Sequence, residues 1–189
     1  NLKNDQMKMD YSWDNLSLNN FAFAKRARLN LNGIISGSLN GEGTSKDYLI
    51  KVESTMDSTR SQDFVFENSK VALNVTPSYV SGTASLLGSI ITSDFDYSFN
   101  KSRSSRIELL INAPNLKPFA TAFFGQHLET EDFSGNLKFN LNTQFKGDFE
   151  DVNLKGNLEN LVFKHESFNV NYKSKQPQFL IEDNAIKRW

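Results

Sequence analysis

From Ser134 to Phe163 the chain reads SGNLKFNLNTQFKGDFEDVNLKGNLENLVF, and its polarity alternates with few misses. Leu137, Phe139, Leu141, Thr143 and Phe145 fall in one phase, with Lys138, Asn140, Asn142, Gln144 and Lys146 in the other. After the acidic segment Asp148-Phe149-Glu150-Asp151 the pattern resumes with Val152, Leu154, Gly156 and Leu158. Successive side chains of a strand point to opposite faces, so each run predicts a strand with one dry and one wet face. Together they predict a long hairpin of a one-sided sheet.

The same period-two signal recurs along the chain. Met7, Met9, Tyr11 and Trp13 alternate, then Leu16 and Leu18, then Phe21 and Phe23, with phase slips at Asp14-Asn15 and Asn19-Asn20. Those are turn or bulge residues, and the expectation is two or three short strands. Leu29, Leu31, Gly33, Ile35, Gly37 and Leu39 share a phase up to Asn40-Gly41-Glu42-Gly43, which predicts a hairpin turn. The returning strand carries Tyr48, Ile50, Val52 and Ser54 on one face, and polar residues 57–62 suggest a turn. Further strands follow at Phe64–Phe66, Val71–Val75, within 79–92, at Phe95–Phe99, at Arg106–Asn112, at Phe168–Tyr172 and at Phe179–Ile181.

One segment departs from this rhythm. In PNLKPFATAFFGQHL, Leu116, Phe119, Ala120, Phe123 and Phe124 recur at helical spacing, with Pro114 and Pro118 before or within the first turn. This predicts a single short amphipathic helix near 115–125, covering one end of the dry face. The fold class is therefore all-β, about a dozen strands with one helix, in a single β-rich domain over 1–189 with possible repeat units 1–105 and 106–189. A dry face this long must be covered, and a closed β-sandwich is the alternative to a curved open sheet.

Composition narrows the function classes. Only 38% of the 189 residues are hydrophobic, yet 16 are Phe, which suffices for a dry surface concentrated on one face. The formal net charge is −1, and the basic clusters Lys25–Arg28 and Lys187-Arg188 are short, so no field points to nucleic acid. There are no cysteines, hence no thiol chemistry, cysteine zinc site or disulfide framework. No apolar run reaches the roughly 20 residues of a membrane helix. The chain opens on Asn1 without a signal peptide, which suggests a section of a longer chain.

Catalytic chemistry is not legible. His127 and His165 have no ligand-spaced carboxylates around them, and Asp94 and Asp96 are neighbours on a polar strand face without the rest of a calcium loop. No nucleophile elbow, metalloprotease helix motif or phosphate loop occurs. The expectation is a non-enzyme with no cofactor and no metal. An apolar groove is by itself a sufficient acyl-chain site, since each buried methylene contributes about 0.8 kcal/mol.

The stretch from Ile111 to Tyr172 also carries a family likeness. It resembles the repeat of AsmA-like proteins, especially the TamB type of the Gram-negative envelope, in which a strand leads to a short PNL helix and then a Gly/Leu-patterned hairpin. The matching residues are Pro114-Asn115-Leu116, then Gly135, Leu137, Leu141 and Gly147, then Leu154, Gly156, Leu158 and Leu161; 31–53 resembles a partial second copy. The resemblance implies a taco-shaped sheet forming one section of a lipid conduit. The full-length protein would be anchored in the inner membrane, cross the periplasm and carry phospholipid towards the outer membrane. A TamA-type outer-membrane barrel is the implied protein partner, with a possible part in autotransporter assembly. The groove-lining residues would be Leu31, Ile35, Leu39, Tyr48, Ile50, Val52, Leu137, Phe139, Leu141, Phe145, Val152, Leu154 and Leu158.

Overall fold

A computed structural model describes residues 6–22, 31–124, 134–146, 154–165, 168–173, 179–182 and 185–188. Its strands are β1 (Gln6–Ser17), β2 (Asn32–Thr44), β3 (Tyr48–Ser61), β4 (Phe64–Val65), β5 (Ser69–Val75), β6 (Tyr79–Leu86) and β7 (Ile91–Ser98). They continue with β8 (Ser104–Ala113), β9 (Ser134–Lys146), β10 (Leu154–His165), β11 (Phe168–Lys173), β12 (Phe179–Glu182) and β13 (Ala185–Arg188). An α-helix, α1 (Leu116–Phe124), lies between β8 and β9 in the chain.

All thirteen strands belong to one sheet, in the order β1-β2-β3-β5-β6-β7-β8-β9-β10-β12-β13, with β4 on β3 and β11 on β10. Every pairing is antiparallel, and all join consecutive strands except β3 with β5 and β10 with β12, which pass over the short β4 and over β11. The sheet is curved and does not close on itself. The two-sheet sandwich is therefore not the arrangement adopted.

The hairpin of β9 and β10 pairs Phe139 with Leu158 and Leu137 with Leu161, with a register shift between Leu158 and Asn160. The shift explains the three-residue gap between those leucines: one extra residue restores the phase. The same device lies in β1, where the register slips between Trp13 and Leu16. There Asn15 takes a left-handed φ of 56°. β1 is thus one bulged strand ending in a short 3₁₀ turn (Leu18–Asn20), not several short strands.

Two turn expectations are corrected. Asn40 and Gly41 sit inside β2, opposite Lys51 and Ile50 on one side and Asp10 and Met9 on the other. The chain reverses instead at residues 45–47, where Thr44 N donates to the Asp47 carbonyl at 2.7 Å and Thr44 Oγ1 accepts from Asp47 N at 3.1 Å. Gly41 serves packing rather than turning: a Cβ there would lie 2.8 Å from Met9 Cε. Residues 57–61 remain strand, because a register shift beside Asn32 and Ile34 absorbs Ser58 at φ 53° and keeps β3 paired.

The helix matches its expected span. Asn115 Oδ1 accepts from Lys117 N at 3.1 Å and Pro118 lies in the first turn, where its missing N–H is no loss. Leu116, Ala120 and Ala122 are buried, and the helix reaches from β9 to the far end of β3. At that same end of the sheet Leu18, Leu31, Phe66, Leu87 and Ala122 form the buried cluster, with Ile35, Met56, Phe64, Leu86 and Ile90 packed on it. The core is thus a lip along one set of strand ends, not a layer between two sheets.

Candidate functional site

Register gives one face of the sheet its character. A single row of paired residues crosses eight strands: Tyr11, Leu39, Val52, Leu73, Gly82, Phe95, Ile107 and Thr143. The next row runs Met9, Gly41, Ile50, Val75, Val80 and Tyr97 across six strands, and Ser105 pairs with Phe145 between β8 and β9. On the other side, Leu109 pairs with Leu141 and Ile111 with Phe139. At about 4.8 Å per strand, the eleven strands of the main path span roughly 48 Å along the curve.

Glycines on this face make room for large neighbours. A Cβ at Gly37 would meet the Glu53 carbonyl oxygen and lie 2.5 Å from Trp13 Cζ2. One at Gly82 would lie 2.7 Å from Leu73 Cδ2 and 3.1 Å from Phe95 Cζ. Big side chains of one strand thus lie over the bare backbone of the next. Even so, Leu39, Ile50, Val52, Leu73, Val75, Phe95 and Ile107 are all only half-buried, and Tyr11 is 64% exposed.

The opposite face is polar. Arg106 contacts Asp94 at 2.6 Å and Glu108 at 3.7 Å, Arg103 contacts Asp96 at 3.2 Å, and Asn142 Nδ2 donates to Glu108 Oε1 at 3.3 Å. The Arg103 guanidinium also lies 5.3 Å from the centre of the Tyr79 ring. These pairs are solvent-exposed and each contributes under about 1 kcal/mol, so they mark the wet side more than they hold it. Among the described residues no group of three His, Cys, Asp or Glu is disposed to hold a metal ion, and no helix is long and apolar enough to cross a membrane.

Searches with this chain matched no protein-family model, no curated protein and no solved structure.

The residues named from sequence fall in three groups. Ile35, Leu39, Tyr48, Ile50, Val52, Leu137, Phe139 and Leu141 share the dry face by register and are half-buried. Leu31 and Phe145 are buried instead: Leu31 belongs to the lip, and the Phe145 ring lies 6.3 Å from that of Tyr97. Leu154 and Leu158 hold β10 register positions opposite Ile181 and Phe139, while Val152 lies outside the described residues.

The centre of the face was left out of that set. Val71, Leu73, Val75, Phe95, Ile107, Leu109 and Ile111 join the two named ends into one surface. Their alternation was as plain as that of β9, and extending the phase argument to every strand would have included them. The lip is different: Leu18 and Phe66 fell in short alternating runs and Leu87 in a turn, and no local period shows that the three meet.

Proposed function

We propose that the dry face holds phospholipid acyl chains and that the chain acts as a non-catalytic section of a lipid conduit. The observation that carries this reading is the continuity of the half-exposed apolar face across the strands, with no second sheet over it among the described residues. Apolar patches beyond a few hundred Å² on a soluble surface mark binding sites. An acyl chain meets the chemistry of this one without any charged partner. Ten methylenes transferred from water contribute about 8 kcal/mol before ordering costs are subtracted.

The likeness of 111–172 to AsmA-like repeats extends the proposal to the cell envelope. On that reading the full-length protein is anchored in the inner membrane, crosses the periplasm and works with a TamA-type barrel of the outer membrane. The groove then serves phospholipid transport between the two membranes.

The test is photo-crosslinking from benzoylphenylalanine placed at Val52 or Phe139, with mass spectrometry of protein purified without detergent. Lipid adducts at both positions and co-purifying phospholipid are expected. Crosslinks confined to protein, with no lipid recovered, would return the chain to an envelope module without a lipid ligand.

A further inference from the structure

Beneath the lip lies a cavity of about 250 Å³, walled by Ile35, Met56 and Val71 of the dry face and roofed by Leu18, Leu31 and Leu87. We infer that it is an end-stop taking the terminal methyl end of one acyl chain, so that lipid lies in the groove with a fixed polarity. This rests on the acyl-binding reading above and adds where the chain ends and which way it points.

Three features specify an alkyl tail. First is size: a dry protein cavity of about 150 Å³ holds the six carbons of benzene, so this one suits on the order of ten carbon atoms. Second is chemistry, since among the described residues no charged side chain lines it. Of its three hydroxyl-bearing residues, Ser54 Oγ donates to the Ser36 carbonyl at 3.1 Å and Ser69 Oγ accepts from Leu87 N at 2.9 Å. The third, Thr55, pairs in register with Ser36 and Lys70 on the wet side. With both serine hydroxyls engaged, the cavity offers little to water or to a polar ligand.

The third feature is continuity and direction. Ile35, Met56, Val71 and Ile91 are floor residues of the groove as well as cavity walls, so a chain lying on the floor runs into the cavity. At the opposite strand ends a second hollow, of about 650 Å³, is lined by Lys8, Glu42, Asp47, Tyr48 and Thr76 and is far more polar. Met56 and Tyr48 are separated by about 27 Å along β3, against roughly 15 Å for a chain in one bilayer leaflet. The polar end of a lipid therefore clears the lip and faces the polar side.

The roof is held under backbone strain. Leu87, Gly88 and Ser89 have φ of 54°, 66° and 67°, a region leucine and serine rarely adopt. Leu87 stays there with its side chain only 3% exposed.

The experiment uses the full chain and two palmitic acid probes, one with a diazirine at the terminal carbon and one with it beside the carboxyl. Terminal-probe labelling should concentrate on peptides containing Met56 and Leu86–Leu87, and carboxyl-side labelling should fall outside the lip. Filling the cavity by Val71→Phe, or by Ile91→Phe should the first variant lose its circular dichroism spectrum, should cut terminal-probe labelling at the lip at least tenfold. Equal labelling of the lip by both probes, or unchanged labelling in the filled variant, overturns the end-stop. Labelling by neither probe overturns the acyl-binding reading and the end-stop with it. Labelling of the floor but not the lip overturns the end-stop alone.

Discussion

Replacing Gly37 by alanine tests the packing of glycine against indole directly. The added Cβ would meet the Glu53 carbonyl oxygen and would stand 2.5 Å from Trp13 Cζ2 and 2.8 Å from Cε2. The carbonyl belongs to the neighbouring β3 backbone and cannot retreat without loosening the β2–β3 ladder. Overpacking of this kind costs about 1–3 kcal/mol, and two rigid obstacles put Gly37→Ala at the upper end. The alanine returns about 0.4–1 kcal/mol by restricting the unfolded chain. A net loss of about 2 kcal/mol remains, which for a chain of this size lowers Tm by roughly 4–8 °C.

Gly41→Ala is the control, because its Cβ would meet Met9 Cε at 2.8 Å, the free end of a flexible side chain, and Ile50 Cγ1 at 3.3 Å. It should leave Tm unchanged or raise it by about 1–2 °C. Both variants are made in a Trp189→Phe background, so that Trp13 is the only indole, and followed by emission and thermal melts. Gly37→Ala should shift Trp13 emission to the red as the ring is pushed off the face. Equal stability of the two variants, with unchanged emission, would refute the close packing of Trp13 on Gly37.

Other substitutions probe the lip and the face. Thr59 is fully buried with no partner for its Oγ1 among the described residues, so Thr59→Val should stabilise by about 1 kcal/mol in urea denaturation. Leu87→Gly should be about 1 kcal/mol less destabilising than Leu87→Ala, the reverse of the usual order, because glycine relieves the left-handed strain; the two denaturation midpoints decide it. Val52→Asp should cost under about 2 kcal/mol, since the site is half-open, yet reduce co-purifying lipid several-fold. A loss of more than 4 kcal/mol would mean that Val52 lies in a sealed core.

Legibility followed the physics of each feature. Period-two alternation needs only local sequence, so β9, β10 and the phase of β2 and β3 were readable, as was the helix from its own spacing. The slip at Asp14-Asn15 was readable as a turn or a bulge but not as which of the two, because only the partner strand reveals that pairing continues. Asn40-Gly41 misled for the same reason: the dipeptide favours turns, but both residues are paired with β1 on one side and β3 on the other. β13 was missed because its four residues are too few to set a period. The lip and its cavity join turns and a helix from distant parts of the chain, and contacts of that kind leave no sequence period.

The strand order, sequential but for the side pairings of β4 and β11, has a further consequence. Each strand depends mainly on the two beside it, so stability accumulates along one dimension as it does in solenoid arrays. Unfolding in such a system begins as fraying at the ends, and removing a terminal hairpin leaves the remaining ladder paired. Growth obeys the same rule: an inserted hairpin of matching phase lengthens the sheet by about 9.6 Å without changing any existing register. The span of the apolar face is thus a quantity that gene duplication can set in discrete steps, with hairpin number as its unit of measure.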